Sequence, residues 1–171
     1  MIFNSLLILV LLICLITDLK SRKIYNKVIF PALLLSFCLH AFTPIGSGIL
    51  FSLMGFAVGF GLLFIPYLMG GMGAGDVKLL ALIGAIKGTT FVVITGIYMA
   101  LLGGLIALFI LLFRKGVTRR LKSIVYTVSG YRYGLKIPLA LDKEVLQTTY
   151  PYGVAIVGGA LLSLIAKGWI I

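Results

Sequence analysis

Residues 70–88 read GGMGAGDVKLLALIGAIKG. Within this stretch, residues 77–86 are apolar except for Lys78. A helix that crosses the ~30 Å hydrocarbon core of a bilayer needs about 20 residues, so this segment is short for a crossing. Its helix has to begin inside the glycine block and end near Gly88. Whether it crosses decides which side every later residue faces, and so decides the fold.

The flanking sequence supplies the answer. Apolar runs cover about 2–17, 28–42, 49–68, 89–113 and 151–171. They are separated by the basic block DLKSRKIYNK (18–27), by TPIGSG (43–48) with Pro44, Gly46 and Gly48, by the glycine block, and by a long basic stretch at 114–150. Lys and Arg gather on the cytoplasmic side of membrane proteins. If 77–86 crosses, that side holds Lys20, Arg22, Lys23, Lys27, Lys78 and the eight basic residues of 114–150, leaving only Lys87 and Lys167 outside. If it does not cross, the eight residues of 114–150 fall outside. Six spans are therefore expected, the fourth short, with both termini extracytoplasmic. The N-terminal run MIFNSLLILVLLICLITDLK has its basic residues after the apolar part and no small-residue cleavage site. It reads as a retained helix, not a signal peptide.

Composition agrees. Of 171 residues, 61% are hydrophobic and 11% charged, against roughly 25% charged in soluble domains. A soluble domain of this size cannot bury so many apolar side chains, so lipid is the expected solvent. The net charge of +11 then marks cytoplasmic loops, and no nucleic-acid partner is expected. Cys14 and Cys38 lie in apolar runs without CxxC spacing, which argues against a zinc site or a disulfide. The expectation is one all-α membrane-embedded domain, 1–171, with 114–150 as a basic cytoplasmic loop within it. That loop reads as headgroup-contacting, with a surface-lying helix around RRLKSIVYTV as the alternative.

The chain has four acids: Asp18, Asp76, Asp142 and Glu144. The last two sit in the basic loop as solvated charges. Asp18 and Asp76 adjoin apolar spans, where a carboxylate is costly and marks a functional site. The sixteen or so residues before Asp18 span about 24 Å as helix, which puts Asp18 at or slightly inside the inner interface. Asp76 opens the fourth helix on the same side. If the first and fourth helices pack together, the two carboxyls meet.

Two close carboxylates share a proton. One then takes a proton from an attacking water while the other polarises a peptide carbonyl. This is aspartic-protease chemistry and needs neither metal nor cofactor. A helix N-terminus favours an anion and a C-terminus disfavours one, which suggests Asp76 as base and Asp18 as acid; Lys20, Arg22 and Lys78 act on the same balance. Gly73 and Gly75 permit close approach of an extended substrate backbone. From the residues alone each acid has a second reading: Asp76 as a helix N-cap, Asp18 as a stop marker.

Three blocks resemble a known family. GMGAGDVKL (71–79) resembles the GxGD block of the prepilin peptidases, the type IV leader peptidases. DLKSRKIYN (18–26) resembles that family's first-aspartate block, with Tyr25 where the family usually has Pro. PYGVAI (151–156) resembles the start of its last helix. The resemblance implies an aspartyl endopeptidase that removes a short basic leader from prepilin-like or preflagellin-like membrane proteins at the cytoplasmic membrane face. It implies Asp18 and Asp76 as the catalytic pair. Bifunctional members also N-methylate the new terminus, using an extra cytoplasmic domain often bearing paired CxxC. No such domain or CxxC occurs here, so the chain resembles the short members, such as those of Flp or tight-adherence systems and the archaeal preflagellin peptidases, and peptidase activity alone is expected. Presenilin-like proteases share only GxGD with it. A proton-coupled transporter or a non-enzymatic secretion-system subunit is the alternative class, but a transporter needs carboxylates near the midplane.

Overall fold

A computed structural model describes residues 2–42, 48–113 and 152–170. The structure is all helical among these residues: α1 (Ile2–Ser21), α2 (Asn26–Phe42), α3 (Gly48–Leu68), α4 (Ala74–Lys87), α5 (Thr89–Phe113) and α6 (Tyr152–Ile170). Three helices are long and apolar enough to cross a membrane by length and composition: α1, α3 and α5 over Thr89–Phe109. Two shorter apolar helices lie at Asn26–Phe42 and Tyr152–Ala166. The basic stretch expected at 114–150, with its alternative surface helix, lies outside the described residues.

The chain divides into two compact units, Met1–Gly103 with Pro151–Ile171, and Gly104–Tyr150. Of the second, the described part is the end of α5, where Leu105, Leu108 and Phe109 are exposed.

At the centre of the first unit is α4. This helix has 14 residues, about 21 Å at 1.5 Å each. From Leu79 to Ile86 every side chain is buried. Packed around it are α1, α2, α3 and α6. A helix that is apolar all round is a core helix, and here the other helices provide the enclosure. Their outward faces carry exposed Leu9, Leu12 and Ile16 on α1, Leu34 and Leu35 on α2, and Met54 and Ile65 on α3. An apolar exterior of this extent is a surface for lipid.

In lipid, helices gain little from hiding apolar side chains, so association depends on close packing between small residues. The α3–α4 pair shows this directly. A Cβ added at Gly55 would lie 2.0 Å from the carbonyl oxygen of Gly84, and one at Gly84 equally close to that of Gly55. One turn along, a Cβ at Gly59 would lie 2.5 Å from the Leu80 oxygen. The two backbones touch without intervening side chains. Ser52 adds a buried hydrogen bond to the Ala85 carbonyl at 2.6 Å.

The far end of α4 is fastened separately. His40 Nε2 donates to the Ile86 carbonyl at 3.3 Å, and its ring stacks on Phe3 at 4.3 Å. The Lys87 ammonium donates to the Asn4 side chain. Between α5 and α6, the Thr95 hydroxyl donates to that of Ser163 at 3.1 Å. Cys14 is buried and Cys38 exposed, and both are free thiols.

Candidate functional site

Asp18 lies within α1, one turn before its end. The helix continues through the polar DLKS residues because their backbone bonds are still made. It stops at Arg22, which adopts a left-handed φ of 49° and donates its N–H to the Asp18 carbonyl at 2.8 Å. This is a helix-ending turn usually given to glycine, and a non-glycine residue there costs about 1–2 kcal/mol. The Asp18 side chain turns inward and is only 6% exposed.

That side chain faces the first turn of α6. A Cβ added at Gly153 would meet Asp18 Oδ2 at 2.4 Å and Cγ at 2.7 Å. The Gly153 N–H acts on the carboxyl as a donor, and the charge of Arg22 acts on it as well. Oδ2 itself is buried and has no hydrogen-bond partner among the described residues.

Asp76 lies in the first turn of α4, partly exposed. Its Oδ2 accepts the Gly73 N–H at 3.2 Å, so it caps the helix it sits on. α1 packs against α4, and the Asp18 charge acts directly on Asp76. The structure thus brings the two acids into electrostatic reach of each other, at the same end of the bundle.

The two glycines of the GxGD block do different things. Gly73 is exposed, and its amide holds Asp76. Gly75 is half-buried, and a Cβ there would lie 3.0 Å from Ile24 Cβ. A second tie lies beside it: Lys78 Nζ donates to Asn26 Oδ1 at 3.0 Å and stands 5.6 Å from the centre of the Phe30 ring. Tyr25 starts α2 through its carbonyl, which accepts the Val28 N–H at 3.0 Å.

The sequence blocks around Asp18, Asp76 and Gly153 therefore converge on one end of the bundle. Gly153 is the neighbour of Asp18 that residue-by-residue reading passes over, although it lies inside the PYGVAI block. Its position also changes the helix-dipole argument. Asp18 belongs to the C-terminal turn of α1 but faces the N-terminus of α6, so each acid has a helix N-terminus beside it. The asymmetry drawn from α1 and α4 alone is offset by α6.

Among the described residues no group of three His, Cys, Asp or Glu side chains gathers as a metal site. What the arrangement offers is two carboxyls, one with an unbonded oxygen, beside backbone amides that can stabilise charge. Such a pair can exchange a proton with water and with a carbonyl or amine.

No curated protein and no solved structure matches the chain. The type IV leader peptidase family does match, over residues 5–111, a stretch that takes in Asp18, Asp76 and the ties between their two blocks. On that match the chain belongs to the type IV leader peptidase family, whose members are membrane-embedded peptidases.

Proposed function

We propose that this protein is an aspartic endopeptidase in which Asp18 and Asp76 form the catalytic pair. It cleaves the basic leader from a prepilin-like or preflagellin-like protein at the cytoplasmic membrane face. The observation that carries the reading is the Asp18 carboxyl: buried, its Oδ2 without a hydrogen-bond partner among the described residues, and its charge felt at Asp76. A buried carboxyl oxygen without a partner is costly, and a catalytic role is one reason such a group is kept.

In the proposed reaction the pair holds one proton. The ionised aspartate removes a proton from water, and the resulting hydroxide adds to the peptide carbonyl carbon. The protonated partner donates a hydrogen bond to the carbonyl oxygen. As the C–N bond breaks, a proton passes to the leaving amine and the pair returns to its starting state. Gly73, exposed beside Asp76, leaves room for an extended substrate strand, and Gly75 sets the approach of Ile24 behind it.

Six crossings with both termini extracytoplasmic follow from the charge distribution, and the chain acts as one membrane-embedded domain. The substrate's apolar helix then lies in lipid beside the bundle, with its basic leader in the cytoplasm and the scissile bond at the depth of the aspartates. The test is cleavage of a prepilin-like substrate in membranes by wild type, Asp18→Asn and Asp76→Asn. Loss of processing in both variants is expected, and normal processing by either one overturns the proposal.

A further inference from the structure

We infer that Gly153 is the positioning residue of Asp18: the bare backbone of this one glycine in the first turn of α6 sets where that carboxyl stands. The inference rests on the catalytic reading of Asp18 given above and extends it to a helix beyond the stretch that the family match covers.

The geometry is specific to one side chain. The three atoms nearest to a Cβ added at Gly153 are Oδ2, Cγ and Cβ of Asp18, at 2.4, 2.7 and 3.2 Å. Ordinary carbon contacts lie near 3.5–4.0 Å, so even a methyl group at 153 displaces the carboxyl. Asp18 has little space to withdraw into. It is 6% exposed, and the chain behind it is held by the Arg22 N–H on its own carbonyl.

The same closeness has a chemical use. The first N–H groups of a helix lack partners within the helix, and that of Gly153 acts on the Asp18 carboxyl. Oδ2 is buried and makes no hydrogen bond among the described residues, so its hydrogen-bonding capacity is unspent. The carboxyl is thus fixed in place by the backbone of α6. Only glycine lets the α6 backbone come this near. Misplacing a reacting group by about 1 Å costs on the order of 100-fold in rate.

The test uses the full chain reconstituted in phospholipid vesicles with a prepilin-like substrate bearing a basic leader. Gly153→Ala is expected to lower kcat on the order of 100-fold with KM within about twofold. Gly61→Ala, at a helical position with open space around it, keeps wild-type kcat. Thermal unfolding of Gly153→Ala is then compared in the wild-type and Asp18→Ala backgrounds. If Gly153 acts through Asp18, the Tm loss caused by the methyl group largely disappears when Asp18 is shortened. If Gly153→Ala alone does not accumulate, its recovery in the Asp18→Ala background supports the contact, and failure in both backgrounds overturns it. Wild-type kcat in Gly153→Ala, or an equal Tm loss in both backgrounds, also overturns it. Normal cleavage by Asp18→Asn strikes the catalytic reading itself, and loss of cleavage there with full activity in Gly153→Ala strikes only the inference.

Discussion

Lys78 Nζ and Asn26 Oδ1 are 3.0 Å apart, joined by a hydrogen bond between the start of α4 and the start of α2. Lys78 follows Asp76 by two residues, and Asn26 closes the turn that follows Asp18. The bond therefore links the two segments that carry the acids. It is exposed to solvent, which limits its contribution to about 1 kcal/mol.

Lys78→Met should keep a long apolar stem near Phe30 and lose the bond. The expected result is a Tm lower by about 2–4 °C. Asn26→Ala should give a similar loss, and the double variant little more than either single one. Strict additivity in thermal unfolding would show that the two side chains do not act on each other.

Asp76 both caps α4 and, in the proposed mechanism, handles protons. Asn retains an acceptor for the Gly73 amide but no titrating group. Asp76→Asn should therefore abolish leader cleavage while changing stability by less than about 1 kcal/mol, whereas Asp76→Ala loses cleavage and the cap, at about 1 kcal/mol. Cleavage assays alongside thermal unfolding separate the two roles. An Asn variant that cleaves normally would leave Asp76 as a cap only.

Gly55→Ala places a methyl group 2.0 Å from the Gly84 oxygen. Both positions are backbone, so the helices themselves must part. A destabilisation of about 3 kcal/mol is expected for Gly55→Ala and for Gly84→Ala, read as a large drop in Tm. Gly61→Ala, which meets nothing, should be neutral or up to about 1 kcal/mol stabilising. Equal Tm values for Gly55→Ala and Gly61→Ala would contradict the α3–α4 contact.

The proposed topology places Lys23 on the cytoplasmic side and Phe42, 88% exposed, on the other. With Cys14 and Cys38 replaced by Ala, Lys23→Cys should react with a membrane-impermeant maleimide only when the cytoplasmic face is open, and Phe42→Cys only from the opposite face. Labelling of both from one side would remove the six-span arrangement.

The helices were legible because each is a run of apolar residues ended by charge, Gly or Pro. Their lengths follow the runs closely at α3 and α5. At α1 the hydropathy ends near Thr17 but the helix continues to Ser21, since polar residues do not break a helix and only the left-handed Arg22 does. The acids were legible because a carboxylate beside an apolar span is rare. What hydropathy does not carry is which backbones touch. Gly55 and Gly59 are spaced for one helix face, a pattern that signals close packing, yet nothing local names Gly84 as the partner. Gly153 stands 135 positions beyond Asp18, and their contact arises from the folding together of α1 and α6. The helix N-terminus that faces Asp18 is hidden from local sequence for the same reason, since it belongs to another part of the chain.

The enclosure of α4 bears on how the protein is made. Its apolar middle is short, and Asp76, Lys78 and Lys87 lie at its ends, so in the proposed topology it is a weak candidate for insertion by the translocation machinery on its own merits. Newly synthesised α3 precedes it and offers the Gly55 and Gly59 surface to which it fits. In the proposed topology the two would enter the bilayer as a hairpin, and the proposed catalytic Asp76 would reach its depth as a product of that pairing. A glycine on α3 can in this way govern the yield of active enzyme without ever meeting a substrate.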